Sequence, residues 1–263
     1  MSSPAKWGDL GPRIMSGVVI ATLGIGGVWI GGWFYLLLVA VVTGLLVWET
    51  ARMTNPQQRG EAVQVGLLAA VALVLAQILP ADFTLPVVLA PALVAVGLMQ
   101  HNRLILGMFS AWIMLGGLGF LLLRAQGGVT WMSWLVLVVI ASDMAGYFVG
   151  KTFGGPKFWP RISPKKTWSG TLGGWLFAAL VGLGFVLLAG AGGHLIWISV
   201  IVAFAAQMGD IAESTLKRRM GVKDSSQLIP GHGGVFDRFD GMVGASALLL
   251  ILFFFNLLHI TAF

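Results

Sequence analysis

The stretch from residue 14 to residue 48, IMSGVVIATLGIGGVWIGGWFYLLLVAVVTGLLVW, decides the fold class because it holds no charged residue. About 20 apolar residues carry a helix across a bilayer core of ~30 Å, so this run is too long for one crossing. Gly26-Gly27 and Gly31-Gly32 interrupt it, and it reads as a hairpin of two spanning helices. Further spans are expected at 62–79, 84–99, 104–123, 129–150, 171–190, 194–213 and 241–263, which makes nine. The segment at 84–99 is the weakest, being short and containing Pro86 and Pro91.

Composition agrees. The 263 residues are 57% hydrophobic and 10% charged, against about 25% charged in soluble domains. Thirty-seven glycines and eleven tryptophans suit close helix packing and interfacial anchoring in a bilayer. The apolar runs are continuous rather than alternating, which argues against a β-barrel. With no cysteine, disulfides, thiolate metal sites and cysteine nucleophiles are excluded. The expectation is an all-α polytopic membrane protein. Residues 1–123 supply about five spans, and residues 124–263 form a C-terminal transmembrane region with two basic loops, 151–170 and 214–240, in which the candidate catalytic residues described below are concentrated.

The net charge of +6 is a topology signal before it is a ligand signal. With a cytoplasmic N-terminus, fifteen of the sixteen Lys and Arg residues fall on one side, and only Arg124 falls on the other. No nucleic-acid partner is needed to explain the charge. The pattern suits a bacterial inner membrane with the functional face toward the cytoplasm. The N-terminal flank resembles a signal peptide, but it contains Asp9, shows no small-residue cleavage site and runs at once into a second span, so it is expected to be retained.

Six of the ten acids lie between residues 143 and 240: Asp143, Asp210, Glu213, Asp224, Asp237 and Asp240. By the nine-span topology all six face the cytoplasmic side. Carboxylates crowded at one depth repel one another unless cations intervene, and an oxygen-only ligand set points to a hard divalent ion such as Mg²⁺. The alternative is pairing of each acid with a neighbouring Lys or Arg. Asp210, Ser214 and Lys217 share one helical face, and Asp237 and Asp240 are three residues apart. Between them runs Ile229-Pro230-Gly231-His232-Gly233-Gly234, a glycine-rich loop of the kind that cradles phosphate or simply turns. Ser163-Pro164-Lys165-Lys166-Thr167-Trp168-Ser169-Gly170 places two lysines before hydroxyls able to cap the next helix, an anion pocket or a stop-transfer cluster. Polyphosphate, metal and membrane surface together describe phosphoryl or nucleotidyl transfer to a lipid.

The 27 residues STLKRRMGVKDSSQLIPGHGGVFDRFD, Ser214 to Asp240, resemble the signature of the phosphatidate cytidylyltransferases, or CDP-diacylglycerol synthases. The positions that carry the likeness are Ser214, Lys217-Arg218, Lys223-Asp224, His232-Gly233-Gly234, Asp237-Arg238 and Asp240. The 163–170 segment, Gly209-Asp210, and Asp143 with Tyr147 are similar to the family as well, whereas Met144-Ala145-Gly146 departs from it and the first 120 residues match only in hydropathy. The resemblance implies conversion of CTP and phosphatidic acid to CDP-diacylglycerol and pyrophosphate, dependence on Mg²⁺, and a homodimer. It assigns Asp210 and Asp237 to metal binding, with Asp143 and Asp240 as further ligand positions. A second, monovalent cation such as K⁺ is an open addition to that site. Lys217, Arg218, Arg238 and His232 fall at catalytic positions. Lys165, Lys166, Ser214, Lys223, Gly233 and Gly234 fall at substrate-binding ones.

The chemistry fits the inventory. The phosphomonoester of the lipid, with a second pKa near 6, is itself the nucleophile and needs no strong base. Catalysis is then a matter of positioning and charge neutralisation. Asp237-Arg238-Phe239-Asp240-Gly241 looks superficially like the opening of the CDP-alcohol phosphatidyltransferase motif, but no acid follows Asp240 to complete it. A polyprenol or dolichol-type lipid kinase, or a proton-coupled transporter with midplane acids, remains the alternative.

Overall fold

The computed structural model describes residues 10–255, with side chains from residue 14 onward. The helices in chain order are α1 (Leu10–Ile30), α2 (Gly32–Thr54), α3 (Arg59–Ile78), α4 (Thr84–Leu98), α5 (Arg103–Phe153), α6 (Trp168–Ala189), α7 (Leu195–Arg219) and α8 (Phe236–Phe254). Among the described residues, six helical stretches are long and apolar enough to cross a membrane, α5 counted as one; residues 14–30 form a shorter apolar helix. The expected span at 241–263 runs partly outside the described residues, as do Lys6 and Asp9.

Helix α5 is 51 residues long. At ~1.5 Å per residue that is far more than one bilayer thickness. It is interrupted at Gly128, whose φ of 65° and ψ of −157° lie outside the helical region and are open to glycine alone without strain. The expected break between spans 104–123 and 129–150 thus sits at a single residue. The first hairpin breaks at Gly31 (φ 67°) and Gly32 (φ 54°), as expected. Gly26-Gly27, read as part of the same interruption, instead stays helical within α1. A Cβ at Gly27 would lie 2.5 Å from Leu38 Cδ2, so that glycine serves helix contact and not a turn.

One compact unit comprises the chain up to residue 117 together with 220–239; the other comprises 118–219 and the chain from 240 onward. The basic segment 214–240 is therefore divided between them. In the first unit α2 and α3 approach backbone to backbone, since a Cβ at Gly44 would lie 2.7 Å from the Gly66 carbonyl oxygen. Small residues give this proximity in membranes, where tight van der Waals packing replaces the hydrophobic effect. Asn55 Oδ1 and Gln58 Oε1 accept from the backbone N–H groups of His101 and Gln100, which ties the α2–α3 turn to the α4–α5 turn.

The second unit uses the same device more densely. A Cβ at Gly170 would lie 2.5 Å from the Gly146 carbonyl oxygen, and one at Gly244 would lie 2.5 Å from that of Ala205. These contacts join α6 to the second half of α5, and α8 to α7. The buried Trp134 donates its indole N–H to Ser199 Oγ at 2.9 Å, satisfying the polar end of an otherwise apolar side chain. The 151–170 loop adds an element that the all-α expectation lacks. Strands β1 (Lys157–Trp159) and β2 (Ser163–Thr167) pair antiparallel, with Lys157 opposite Thr167 and Trp159 opposite Ser163. Phe158 packs on Trp168 with ring centroids 4.7 Å apart.

Candidate active site

In the second unit, α7 continues to Arg219, six residues past the expected end of its apolar span, so Asp210, Ser214 and Lys217 lie on one helix as their spacing predicts. Its last three turns carry Asp210, Glu213, Ser214 and Lys217. The Gly209 contact with the Asp240 backbone brings α8 against this face. As a result one carboxylate oxygen from each of Asp210, Glu213 and Asp240 lies within 4.8 Å of the others. Such a group repels itself and demands cations. Two are supplied by the chain: Lys166 Nζ lies 2.5 Å from Asp210 Oδ2, and Lys217 Nζ lies 2.5 Å from the buried Glu213. Ser214 donates to Asp210 Oδ1 at 3.2 Å, and Gly241 N–H donates to Asp240 Oδ1 at 2.7 Å. Three carboxylates against two ammonium groups leave an all-oxygen, net-negative donor set, which fits a hard divalent ion such as Mg²⁺.

Beside this group opens a cavity of about 570 Å³ whose wall includes Asp143, Asp210, Lys151, Lys157, Lys165 and Lys166. The β-hairpin delivers Lys165 and Lys166 to it. Thr167 then caps α6, its Oγ1 accepting from Gly170 N–H at 3.2 Å, so the capping role read from the sequence is present. Gly150 allows the approach, because a Cβ there would lie 2.8 Å from Thr167 Oγ1. Four lysines and two acids on one cavity wall make a surface for a polyanion with its counter-ion. Arg218 lies exposed in the last turn of α7.

The remaining expected residues lie in the first unit. Gly231 and Gly233 have φ of 75° and 84°, so the glycine-rich loop uses positive φ, and Ile229 pairs with Gly233 across it. Arg238 donates from Nε and Nη2 to the His232 carbonyl oxygen at 3.1 and 2.7 Å. His232 Nδ1 lies 2.7 Å from Ser16 Oγ. Asp237 Oδ2 accepts from Ser225 N–H (2.9 Å), Ser225 Oγ (2.9 Å) and Gly234 N–H (2.8 Å), so that oxygen fastens the loop to the start of α8. Lys223 and Asp224 are exposed on the same loop, and Gly234 is buried. Asp237 and Asp240, although one helical turn apart, therefore engage different partners.

Two acids were not among the expected site residues. Glu213 carries its signal in its i,i+4 spacing from Lys217. Glu49 gives only a weak one, as a lone acid ending an apolar span. It is fully buried and accepts from the loop.

A model of the cytidylyltransferase family matches residues 11–256. A protein of Brucella suis biovar 1 named phosphatidate cytidylyltransferase is 34% identical over 252 residues, 92% of this chain and 93% of its own length. One of the same name from Pseudomonas aeruginosa is 32% identical over 251 residues, 89% and 93% of the two chains. Another from Bacillus subtilis is 41% identical over 121 residues, 45% of each.

Proposed function

The chain belongs to the cytidylyltransferase family, and on that footing we propose that it transfers CMP from CTP to phosphatidic acid, giving CDP-diacylglycerol and pyrophosphate. The observation that supports this most is the Asp210–Glu213–Asp240 group, flanked by Lys166 and Lys217 and open to a lysine-walled cavity. The names of the relatives favour this reading over a lipid kinase or a proton-coupled carrier.

A phosphate oxygen of the lipid attacks the α-phosphorus of CTP, a new P–O bond forms, and the bond to the β,γ-pyrophosphate breaks. No proton need be taken from the nucleophile, so the chain's task is to hold two polyanions together against their repulsion. Lys165 and Lys166 bind phosphate oxygens in the cavity, and Lys166 keeps Asp210 oriented. Lys217 orients Glu213, and Ser214 fixes the other oxygen of Asp210. Asp210, Glu213 and Asp240 would hold Mg²⁺, with Asp143 on the cavity wall as a further ligand position; a role for Asp237 in metal binding rests on the family likeness alone. When bound, the ion offsets charge on the α-phosphate and on departing pyrophosphate. Arg218, Lys223, Arg238, His232, Gly233 and Gly234 are proposed to contact the polar substrates, as the family likeness implies.

The proposal includes nine crossings, α5 contributing two, with the N-terminus and the site on the cytoplasmic side of a bacterial inner membrane, and a homodimer. The one-sided distribution of Lys and Arg supports the orientation. The test uses purified protein in mixed detergent–phosphatidic acid micelles with labelled CTP. Mg²⁺-dependent appearance of the CMP label in the organic phase is expected; a folded preparation that leaves all label in water overturns the reading.

A further inference from the structure

Sixteen residues separate the end of α7 from the start of α8, and this connection is rich in glycine. Loops of that length seldom hold one conformation without anchors. The anchors here converge on Glu49, near the end of α2. Its Oε1 accepts from Ser226 Oγ (2.5 Å) and Val235 N–H (2.9 Å), and its Oε2 from Ser225 Oγ (3.0 Å) and Phe236 N–H (2.7 Å). Two of these donors are backbone N–H groups at the start of α8, which have no intrahelical acceptor, so Glu49 caps that helix from a distant part of the chain. The fit is tight. A Cβ at Gly234 would overlap Ser225 Oγ and lie 2.6 Å from Glu49 Oε1, so no larger residue can stand there while the loop is docked.

Ser225 passes this anchoring on to Asp237. Its single hydroxyl proton faces both Glu49 Oε2 and Asp237 Oδ2, at 3.0 and 2.9 Å. The orientation of Asp237 is thereby set by the acid on α2. We infer that Glu49 is a positioning residue for turnover: it holds the 225–236 segment, and through Ser225 the Asp237 carboxylate, in working geometry without touching either substrate. This rests on the cytidylyl-transfer reading. It adds to that reading a residue from the N-terminal helices, which the signature does not reach.

Glu49→Gln tests it. An amide replaces one acceptor oxygen with a donor group that would face two N–H or O–H donors, while size is kept. In the micelle assay kcat should fall about 100-fold, the scale of a small misplacement at a reacting centre, with the KM values for CTP and lipid nearly unchanged. Hydrogen exchange on the same sample should show lost protection of the backbone amides of Ser225, Gly234, Val235 and Phe236, with the other helices unaffected. The Ser225→Ala/Ser226→Ala pair leaves Glu49 in place and should reproduce a weaker version of both effects, and so carries the test if Glu49→Gln does not fold. Protected loop amides, or a kcat per folded molecule close to wild type in these variants, would overturn the inference. If wild-type protein transfers no CMP, the reaction assignment fails, and the exchange measurement still decides whether Glu49 holds the loop.

Discussion

A Cβ placed on Gly209 would overlap the carbonyl oxygen of Asp240, so α7 and α8 touch backbone to backbone where the acids converge. Asp240 reaches Asp210 and Glu213 only because residue 209 has no side chain. Separating the two helices by the width of a methyl group would open the carboxylate group without changing any of its members.

Gly209→Ala should therefore lower stability by about 1–3 kcal/mol, as overpacking at a contact does. CMP transfer should fall further than the folded fraction. Gly184→Ala on α6, where a Cβ meets nothing within 4 Å, should be neutral or stabilising by up to ~1 kcal/mol. Thermal unfolding and labelled-CTP turnover on both variants check this. Equal behaviour of the two would remove the close contact from any role in the site.

Lys165 and Lys166 are adjacent in sequence but should differ in effect. Lys166 is half-buried on Asp210, whereas Lys165 is exposed. Lys166→Met should cost about 100-fold in kcat/KM, comparable to losing one preorganised donor to a developing charge. Lys165→Met should raise KM for CTP and leave kcat nearly intact. Initial rates over a grid of CTP concentrations separate the two patterns, and interchangeable lysines would count against the cavity as the nucleotide site.

Metal dependence should read directly on the carboxylate group. Chelator should abolish transfer and Mg²⁺ should restore it. Asp240→Asn should shift the half-saturating Mg²⁺ concentration upward by at least about 10-fold, since losing even an outer-shell partner of a ligand costs that much. Activity that survives exhaustive chelation would remove the metal from the scheme.

Asp237→Asn should abolish most turnover while the protein stays folded, because Oδ2 organises Ser225 and Gly234 outside the apolar packing. Circular dichroism and size-exclusion elution should match wild type. Near-normal rates would show that the fastening oxygen is dispensable and that neither loop order nor metal binding depends on it.

The apolar runs and their interruptions were legible in the sequence, since a bilayer imposes helix length through backbone hydrogen bonding. Gly31 and Gly128 show how sharply a break can be read when a single residue must leave helical φ,ψ. Gly26-Gly27 shows the limit, for glycine serves close packing as readily as turning, and spacing alone does not separate the two uses. The β-hairpin was hidden because strands of three and five residues are too short for alternation to register. Of the site, residues clustered in sequence could be picked out from residue chemistry. Glu213 was visible among the clustered acids and in its i,i+4 spacing from Lys217, whereas Glu49 acquires its role only through partners brought to it by the fold.

The distance along the chain between Glu49 and its partners sets an order of events during synthesis. The donors lie 176 to 187 residues downstream. At translation rates of roughly 5–20 residues per second, α2 is made about 10–40 s before the segment that donates hydrogen bonds to its acid exists. Throughout that interval the Glu49 carboxylate lacks the four donors that hold it in the folded protein. Insertion of the first unit is thus left incomplete until the chain has gone through α5, α6 and α7 and come back. Chains truncated before residue 225 should be clients of membrane quality control rather than stable fragments.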